Sequence, residues 1–413
     1  MSCAGQYSSF RDVAILEAVR TPWVDIGGAL AQVSPIDLGI KVGREVLARA
    51  GLDSRAVDTV LAGSMAQASF DAYMLPRHIG LYSGVPQQVP ALAVQRICAT
   101  GFELLRQAGE QLNGGADLAL CVGAESMSRN PIAAYTHRGG FRLGAPVDFK
   151  DFLWEALYDP APGLDMIATA ENLARRHGLN REAVDTYALN SHQRALDAQS
   201  CGWFSDEIVP VRNELFELEG YQPRGIALPR RCDGVILDSH PRPTDSHALA
   251  KLQAIHAGGV QTAGNSCAVV DGAAAALVGR ASVSMRPVLA HLLATAVVGV
   301  APEFMGIGPV PAIQLLLQRS GLAQEDIALF EVNEAQGAQV LAVAQMLEMD
   351  SHRLNLRGGS IALGHPLAAT GLRLVMTLAR QLREQHLRYG VAAACVGGGQ
   401  GMAVLIENPG FSG

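Results

Sequence analysis

One block of this sequence occurs twice. Ala99-Thr100-Gly101-Phe102 opens an amphipathic helix pattern through Leu104, Leu105, Ala108 and Leu112. It returns 270 residues later as Ala369-Thr370-Gly371-Leu372, followed by Leu374, Val375, Leu378 and Ala379. The same spacing separates Val46-Leu47, Arg49 and Gly51-Leu52 from Leu316-Leu317, Arg319 and Gly321-Leu322. A third pair, Ala119-Leu120-Cys121-Val122-Gly123 and Ala393-Ala394-Cys395-Val396-Gly397, stands at an offset of 274. Matches in the same order, two of them at one spacing, point to two similar units packed about an approximate two-fold axis.

Between the helical patterns lie apolar runs at Ala14–Leu16, Thr59–Ala62, Leu118–Val122, Leu329–Val332, Val391–Val396 and Met402–Ile406. Several are continuous rather than alternating, as strands covered on both faces are. Strand–helix alternation in both halves predicts an α/β fold of two pseudo-symmetric core units. Aromatics make up only 5% of the 413 residues, so the core is built from Ala, Val, Leu and Ile, which suits close helix–sheet packing.

Residues 128–268 fall outside the repeat and are rich in irregular segments such as Asp159–Gly163 and Gly220–Gly225. They carry one strong helix, Arg181–Gln199, with Asn180 as its N-cap. An insertion of this kind is a natural substrate-covering subdomain. The expected division is an N-terminal core unit at 1–127 plus 269–285, an inserted loop domain at 128–268, and a C-terminal core unit at 286–413.

A net charge of −7 gives no bulk basicity for nucleic acid. No apolar run reaches the ~20 residues that span a bilayer. The nearest, Leu289–Ala301, is short, contains His291, and is expected as a buried helix or strand. Met1–Asp12 lacks the basic and apolar regions of a signal peptide, which predicts a cytoplasmic protein without membrane attachment. The seven cysteines are odd in number and form no C-x-x-C pair, so neither a disulfide framework nor a zinc site is expected.

Cys98 precedes the first Ala-Thr-Gly, at the turn entering its helix. Free N–H groups and the positive end of the helix dipole lie there, which predicts a thiol pKa below its ordinary ~8.5. His365, in Leu363-Gly364-His365-Pro366-Leu367, enters the mate of that helix. Packing about the axis would bring Cys98 and His365 together as a nucleophile and its base. Cys395 ends an apolar run before Val396-Gly397-Gly398-Gly399, where backbone N–H groups can approach a ligand. Its repeat mate Cys121 shows that a cysteine can also sit there for packing alone. Asn333-Glu334 follows an apolar strand, where α/β sites collect ligands, although a helix N-cap reads equally well.

Taken together, these motifs resemble the thiolase family of 3-ketoacyl-CoA and acetoacetyl-CoA thiolases. The resemblance runs through Ala18-Val19-Arg20-Thr21-Pro22, Gln95-Arg96-Ile97-Cys98, Gly123-Ala124-Glu125-Ser126-Met127-Ser128, Thr169-Ala170-Glu171-Asn172 and Asp206-Glu207-Ile208-Val209-Pro210. It continues through Thr262-Ala263-Gly264-Asn265-Ser266, Asp271-Gly272-Ala273-Ala274, Met305-Gly306-Ile307-Gly308-Pro309, Asn333-Glu334-Ala335, Ala362-Leu363-Gly364-His365-Pro366 and Cys395-Val396-Gly397-Gly398-Gly399.

The resemblance implies a thiolase-like fold and an acyltransferase, an acetyl-CoA C-acyltransferase or C-acetyltransferase of fatty acid metabolism. Acyl-CoA, acetyl-CoA and CoA would be substrates, with no metal or redox cofactor and a homodimer or homotetramer as the assembly. It implies ping-pong acyl transfer in which Cys98 carries the acyl group as a thioester and His365 accepts its proton. Cys395 would move the α-proton. Asn333, through a water, and His365 would hold the enolate oxygen, and the N–H groups of Cys98 and Gly397 would form a second oxyanion hole. CoA contacts are expected at Ser266, Cys267 and Arg242.

The sequence departs from the family's usual pattern at Ala99-Thr100, Gln336, Ala368, Cys267 and Asp165, residues that shape the pocket rather than carry the chemistry. Two other readings are a related condensing enzyme, against which Cys395 argues, and a non-catalytic thiolase-like protein that binds CoA esters or lipids.

Overall fold

The computed structural model describes residues 4–66, 69–135 and 137–411; Cys3 and the first residues of the chain lie outside them. All six apolar runs form strands: Ala14–Arg20, Thr59–Gly63, Leu118–Glu125, Ile327–Val332, Tyr389–Val396 and Gln400–Glu407. The apolar stretch around His291 is a strand as well, Ala290–Gly299.

The repeat is visible in the strand pairing. Thr59–Gly63 runs parallel to Leu118–Glu125, which pairs antiparallel with Val270–Gly279. In the second half Ile327–Val332 runs parallel to Tyr389–Val396, which pairs antiparallel with Gln400–Glu407. Ala14–Arg20 and Ala290–Gly299 occupy matching places and join the halves through Ile15 opposite Ala290 and Ala14 opposite His291.

Successive strand residues point to opposite faces, and each face has its own cover. Cys121, Ala274, Ala276, Ala392, Ala394 and Val404 face a central layer made by the two repeat helices, Thr100–Asn113 and Leu367–Glu384. Leu120, Val122, Ala273 and Ala275 face the helix Pro35–Ala50 on the far side. Val391, Ala393, Ala403 and Leu405 face Pro309–Ser320. The result is a helix–sheet–helix–sheet–helix stack, and its small strand residues let the helices sit close.

The two central helices cross at the repeated glycine. A Cβ on Gly371 would lie 2.5 Å from the amide nitrogen of Phe102, and one on Gly101 would lie 2.5 Å from that of Leu372. Only glycine permits this approach, and it places the starts of both helices side by side. Cys98 and His365 stand just before those starts.

Within 128–268 lie short hairpins and the helices Met166–His177 and Arg181–Ser200. Asn180 caps the latter, its Oδ1 accepting from Ala183 N at 2.9 Å. Ser266 meets Gln336 in an isolated antiparallel bridge, which ties the end of this segment to the C-terminal half. Among the described residues, no helix is long and apolar enough to cross a membrane.

Candidate active site

Cys98 lies in a short 3-10 turn, Ile97–Ala99, immediately before its helix, with Ile97 held at φ +45°. Thr100 braces the turn: its hydroxyl accepts from Arg96 N at 2.9 Å and donates to Ile97 O at 2.7 Å. Cys98 is only 8% exposed and packs among Met65, Met127 and Leu367. The low pKa expected from the helix start is not found. Burial pushes the Cys98 thiol up to about 11, although the N–H groups of Gly397 and of Cys98 itself pull the other way. Desolvation of the charged form outweighs the dipole and the two donors.

His365 is 4% exposed, and its imidazole is held at both nitrogens. The Thr370 hydroxyl donates to Pro366 O at 3.1 Å, so it accepts from His365 Nδ1–H at 2.6 Å. Nε2 is therefore the lone-pair nitrogen, the tautomer a base requires. Asn333 Nδ2 donates to it over a long 3.3 Å. Asn333 is oriented in turn by Ser360, whose hydroxyl donates to Oδ1 at 2.6 Å. Burial, with Arg373 nearby, lowers the His365 pKa to about 3, so the ring is neutral across the physiological range.

Of the alternatives open for Asn333, a helix cap is ruled out. The following helix, Gly337–Met346, begins after Gln336. The neighbouring Glu334 anchors the region instead, accepting from Tyr187 OH at 2.8 Å, Ser191 Oγ at 2.7 Å, Asn355 Nδ2 at 3.0 Å and Ile361 N at 3.2 Å.

Cys395 is fully buried at the end of its strand, packed with Met305, Ala335 and Met166. Burial raises its pKa well above the ordinary thiol value, and the nearby thiols of Cys98 and Cys267 add to the rise. Gly397 lies two residues further on, and a Cβ there would meet Ile97 and Met166 at ordinary contact distance, 3.7 Å.

Two adjoining cavities reach Cys98, Gly397 and His365, whereas Asn333 and Cys395 line neither and lie buried behind their walls. One, of about 290 Å³, is lined by Cys98, Met65, Gly397 and Gly398. The other, of about 440 Å³, is lined by His365, Ser266, Cys267, Gln336, Asp165 and Trp154. Leu157, Met166 and Leu367 line both. Among the described residues no hydrogen bond joins Cys98 to His365; they face this shared space from neighbouring walls. Arg242 stands outside it, exposed, with Nη1 2.8 Å from Nε2 of the lining residue His240.

Residues 13–282 match the family model for the thiolase N-terminal domain, and residues 286–408 match that for the thiolase C-terminal domain. The chain belongs to the thiolase family. It is 39% identical to the mitochondrial 3-ketoacyl-CoA thiolase of Bos taurus, over 96% of this chain and 98% of that one. It is 40% identical to a probable acetyl-CoA acetyltransferase of Escherichia coli (strain K12), over 96% and 99%. The crystal structure of human mitochondrial 3-ketoacyl-CoA thiolase superposes with a TM-score of 0.90 at 37% identity, covering 96% of this chain and 98% of that one. That human enzyme has also been solved in complex with CoA, and there the TM-score is 0.89. This thiolase is accordingly an acyltransferase of the acetyl-CoA C-acyltransferase and C-acetyltransferase type.

Two groups in the thiolase site are missing from the residues singled out in the sequence. Thr370 was visible there only as a repeat letter, and its position matches that of Thr100. Glu125 is buried at the end of its strand and accepts from Ser64 Oγ at 3.0 Å, Met65 N at 2.9 Å and Ala368 N at 3.0 Å. It thereby ties the wall beside Cys98 to the start of the His365 helix, across the two halves of the chain.

Proposed function

We propose that this thiolase works by ping-pong transfer through an acyl-Cys98 thioester. In the thiolysis direction Cys98 Sγ attacks the keto carbon of a 3-ketoacyl-CoA and its proton passes to His365 Nε2. The bond between the α and keto carbons then breaks, and Cys395 protonates the α-carbon to release acetyl-CoA. CoA then enters, its thiol proton passes to Cys395, its sulfur takes the acyl group from Cys98, and the released Cys98 sulfur recovers its proton from His365. Condensation is the reverse.

A separate acid/base is needed for carbon because the nucleophile is occupied as a thioester at that moment. The N–H groups of Gly397 and Cys98 stabilise one oxyanion, and Asn333 with His365 the other.

The observation that carries this reading is the His365 ring held at both nitrogens, Nδ1 2.6 Å from Thr370 Oγ1 and Nε2 3.3 Å from Asn333 Nδ2, lining the cavity that adjoins the one lined by Cys98. A direct Cys98–His365 bond is not required beforehand, since catalytic contacts often tighten only when substrate is bound.

CoA enters through the cavity lined by Cys267, with Arg242 at its rim. Residues 128–268 form the covering domain between core units at 1–127 plus 269–285 and 286–413. A homodimer or homotetramer belongs to the same reading and is supported by family resemblance, and the cytoplasm is its proposed location.

The test is CoA-dependent cleavage of acetoacetyl-CoA and of a longer 3-ketoacyl-CoA, with Cys98→Ala as control. Cleavage lost in the variant supports the reading. Cleavage that persists in the variant, or none by the folded wild type, contradicts it.

A further inference from the structure

The helix that His365 enters has no cap of its own. It begins after Pro366, whose side chain makes no capping bond, so its first N–H groups need partners from elsewhere. One partner comes from the other half of the chain: Ala368 N donates to Glu125 Oε2 at 3.0 Å. The same oxygen accepts from Met65 N at 2.9 Å, and Oε1 accepts from Ser64 Oγ at 3.0 Å. Gly123, two residues before Glu125, brings the strand against that first helical turn, since a Cβ there would lie 2.1 Å from Ala368 O.

What Glu125 holds adjoins both reactive side chains. Met65 and Leu367, the neighbour of Ala368, pack with Cys98 and line its cavity. Leu367 also lines the cavity of His365, which stands three residues before Ala368. Glu125 itself lines neither cavity, so it acts only through the groups it holds.

The carboxyl is 2% exposed, and all three of these bonds are accepted, as an ionised carboxylate accepts them. The partners are a hydroxyl and two backbone N–H groups, none of them a cation. Burying a charge in this way is costly, and groups of this kind cluster at functional sites. The charge also reaches the nucleophile: burial dominates the rise of the Cys98 thiol pKa, and Glu125 adds to it.

Resting on the thiolase reading above, we propose that Glu125 is a positioning residue for acylation. By holding Met65 N and Ala368 N on one oxygen, it sets the approach of Cys98 Sγ to His365 Nε2, along which the thiol proton passes.

Two variants separate its reach from its charge. Glu125→Asp keeps the charge but is one methylene short of holding both N–H groups. Glu125→Gln keeps the reach, with its oxygen on Met65 N and Ala368 N and its amide donating to Ser64 Oγ, but loses the charge. The measurements are the rate of Cys98 acetylation by acetyl-CoA, followed by intact mass, KM for CoA in thiolysis of acetoacetyl-CoA, and inactivation by iodoacetamide against pH.

In Glu125→Asp the acetylation rate is expected to fall about tenfold to a hundredfold, the effect of a small misplacement of reacting groups. Its KM for CoA and its alkylation profile should stay near those of the wild type. In Glu125→Gln acetylation should fall by no more than a few-fold. Alkylation at a given pH should become several-fold faster, because removing a negative charge beside a thiol lowers its pKa. That second readout keeps the test open if Glu125→Asp does not fold.

Acetylation of Glu125→Asp at the wild-type rate overturns the inference. So do equal losses in both variants, which would mark a general loosening of the fold. An alkylation profile unmoved in Glu125→Gln overturns it as well, since no charge would then stand beside Cys98. A wild type that is not acetylated at Cys98 would instead count against the thiolase reading itself.

Discussion

His365 Nδ1 lies 2.6 Å from Thr370 Oγ1, five residues further along the chain, and that contact decides which nitrogen of the ring can act as a base. The Thr370 proton is committed to Pro366 O, so the imidazole proton sits on Nδ1 and the lone pair on Nε2. The repeat mate Thr100 performs a similar service one helix away, bracing the turn that carries Cys98. One structural element, a threonine at the first turn of a helix, thus sets up both reactive side chains.

Thr370→Val keeps the shape of the side chain and removes the acceptor. Leaving a buried donor unpaired costs about 1–3 kcal/mol. If that is felt in the transition state, kcat/KM falls about tenfold to a hundredfold. Thr370→Ser should restore most of the rate. An unchanged rate in the valine variant, with its fold verified by circular dichroism, would remove Thr370 from the mechanism.

The pH dependence of Cys98 follows from its burial. The thiol is raised to about 11 and the imidazole lowered to about 3, so the resting pair is neutral rather than a thiolate–imidazolium ion pair. The thiolate fraction then grows with pH up to the thiol pKa. Alkylation by iodoacetamide, followed as loss of activity, is expected to accelerate steadily through the alkaline range. A rate that already levels off around neutral pH, as a preformed ion pair would give, contradicts this electrostatic picture.

The crossing of the central helices predicts a stability effect without a chemical one at its origin. Gly371→Ala places a methyl group against the Phe102 backbone, where nothing can move aside cheaply. Overpacking of this kind costs about 1–3 kcal/mol. A matching fall in the urea midpoint is expected, and an unshifted midpoint would show that the helices do not meet as closely as described.

How much of this was legible in the sequence differs from residue to residue. The repeat revealed the pseudo-symmetry, and continuous apolar runs such as Leu118–Val122 revealed buried strands. Val270–Gly279 does not read as a strand in the sequence, although it lies centrally in the sheet. Its Ala273–Ala276 run has the highest intrinsic helix propensity, and only tertiary packing between two helical layers makes small residues preferable there. Cys98 and His365 were placed by the repeat and by the turns that precede it. The Cys98 pKa was not, because the helix start is a local feature while burial depends on Met65, Met127 and Leu367 from three other segments. Glu125 is visible in its motif but its role is not, since its bonds to Met65 and Ala368 join distant parts of the chain.

The central claim is that one cysteine carries the acyl group while another handles the carbon proton. Intact-mass spectrometry of Cys395→Ala after incubation with acetyl-CoA tests it most directly. The account predicts one acetyl group per chain, mapped to Cys98, with carbon–carbon bond formation lost. No acetylation of that variant, or an acetyl group mapped to any other residue, would contradict it.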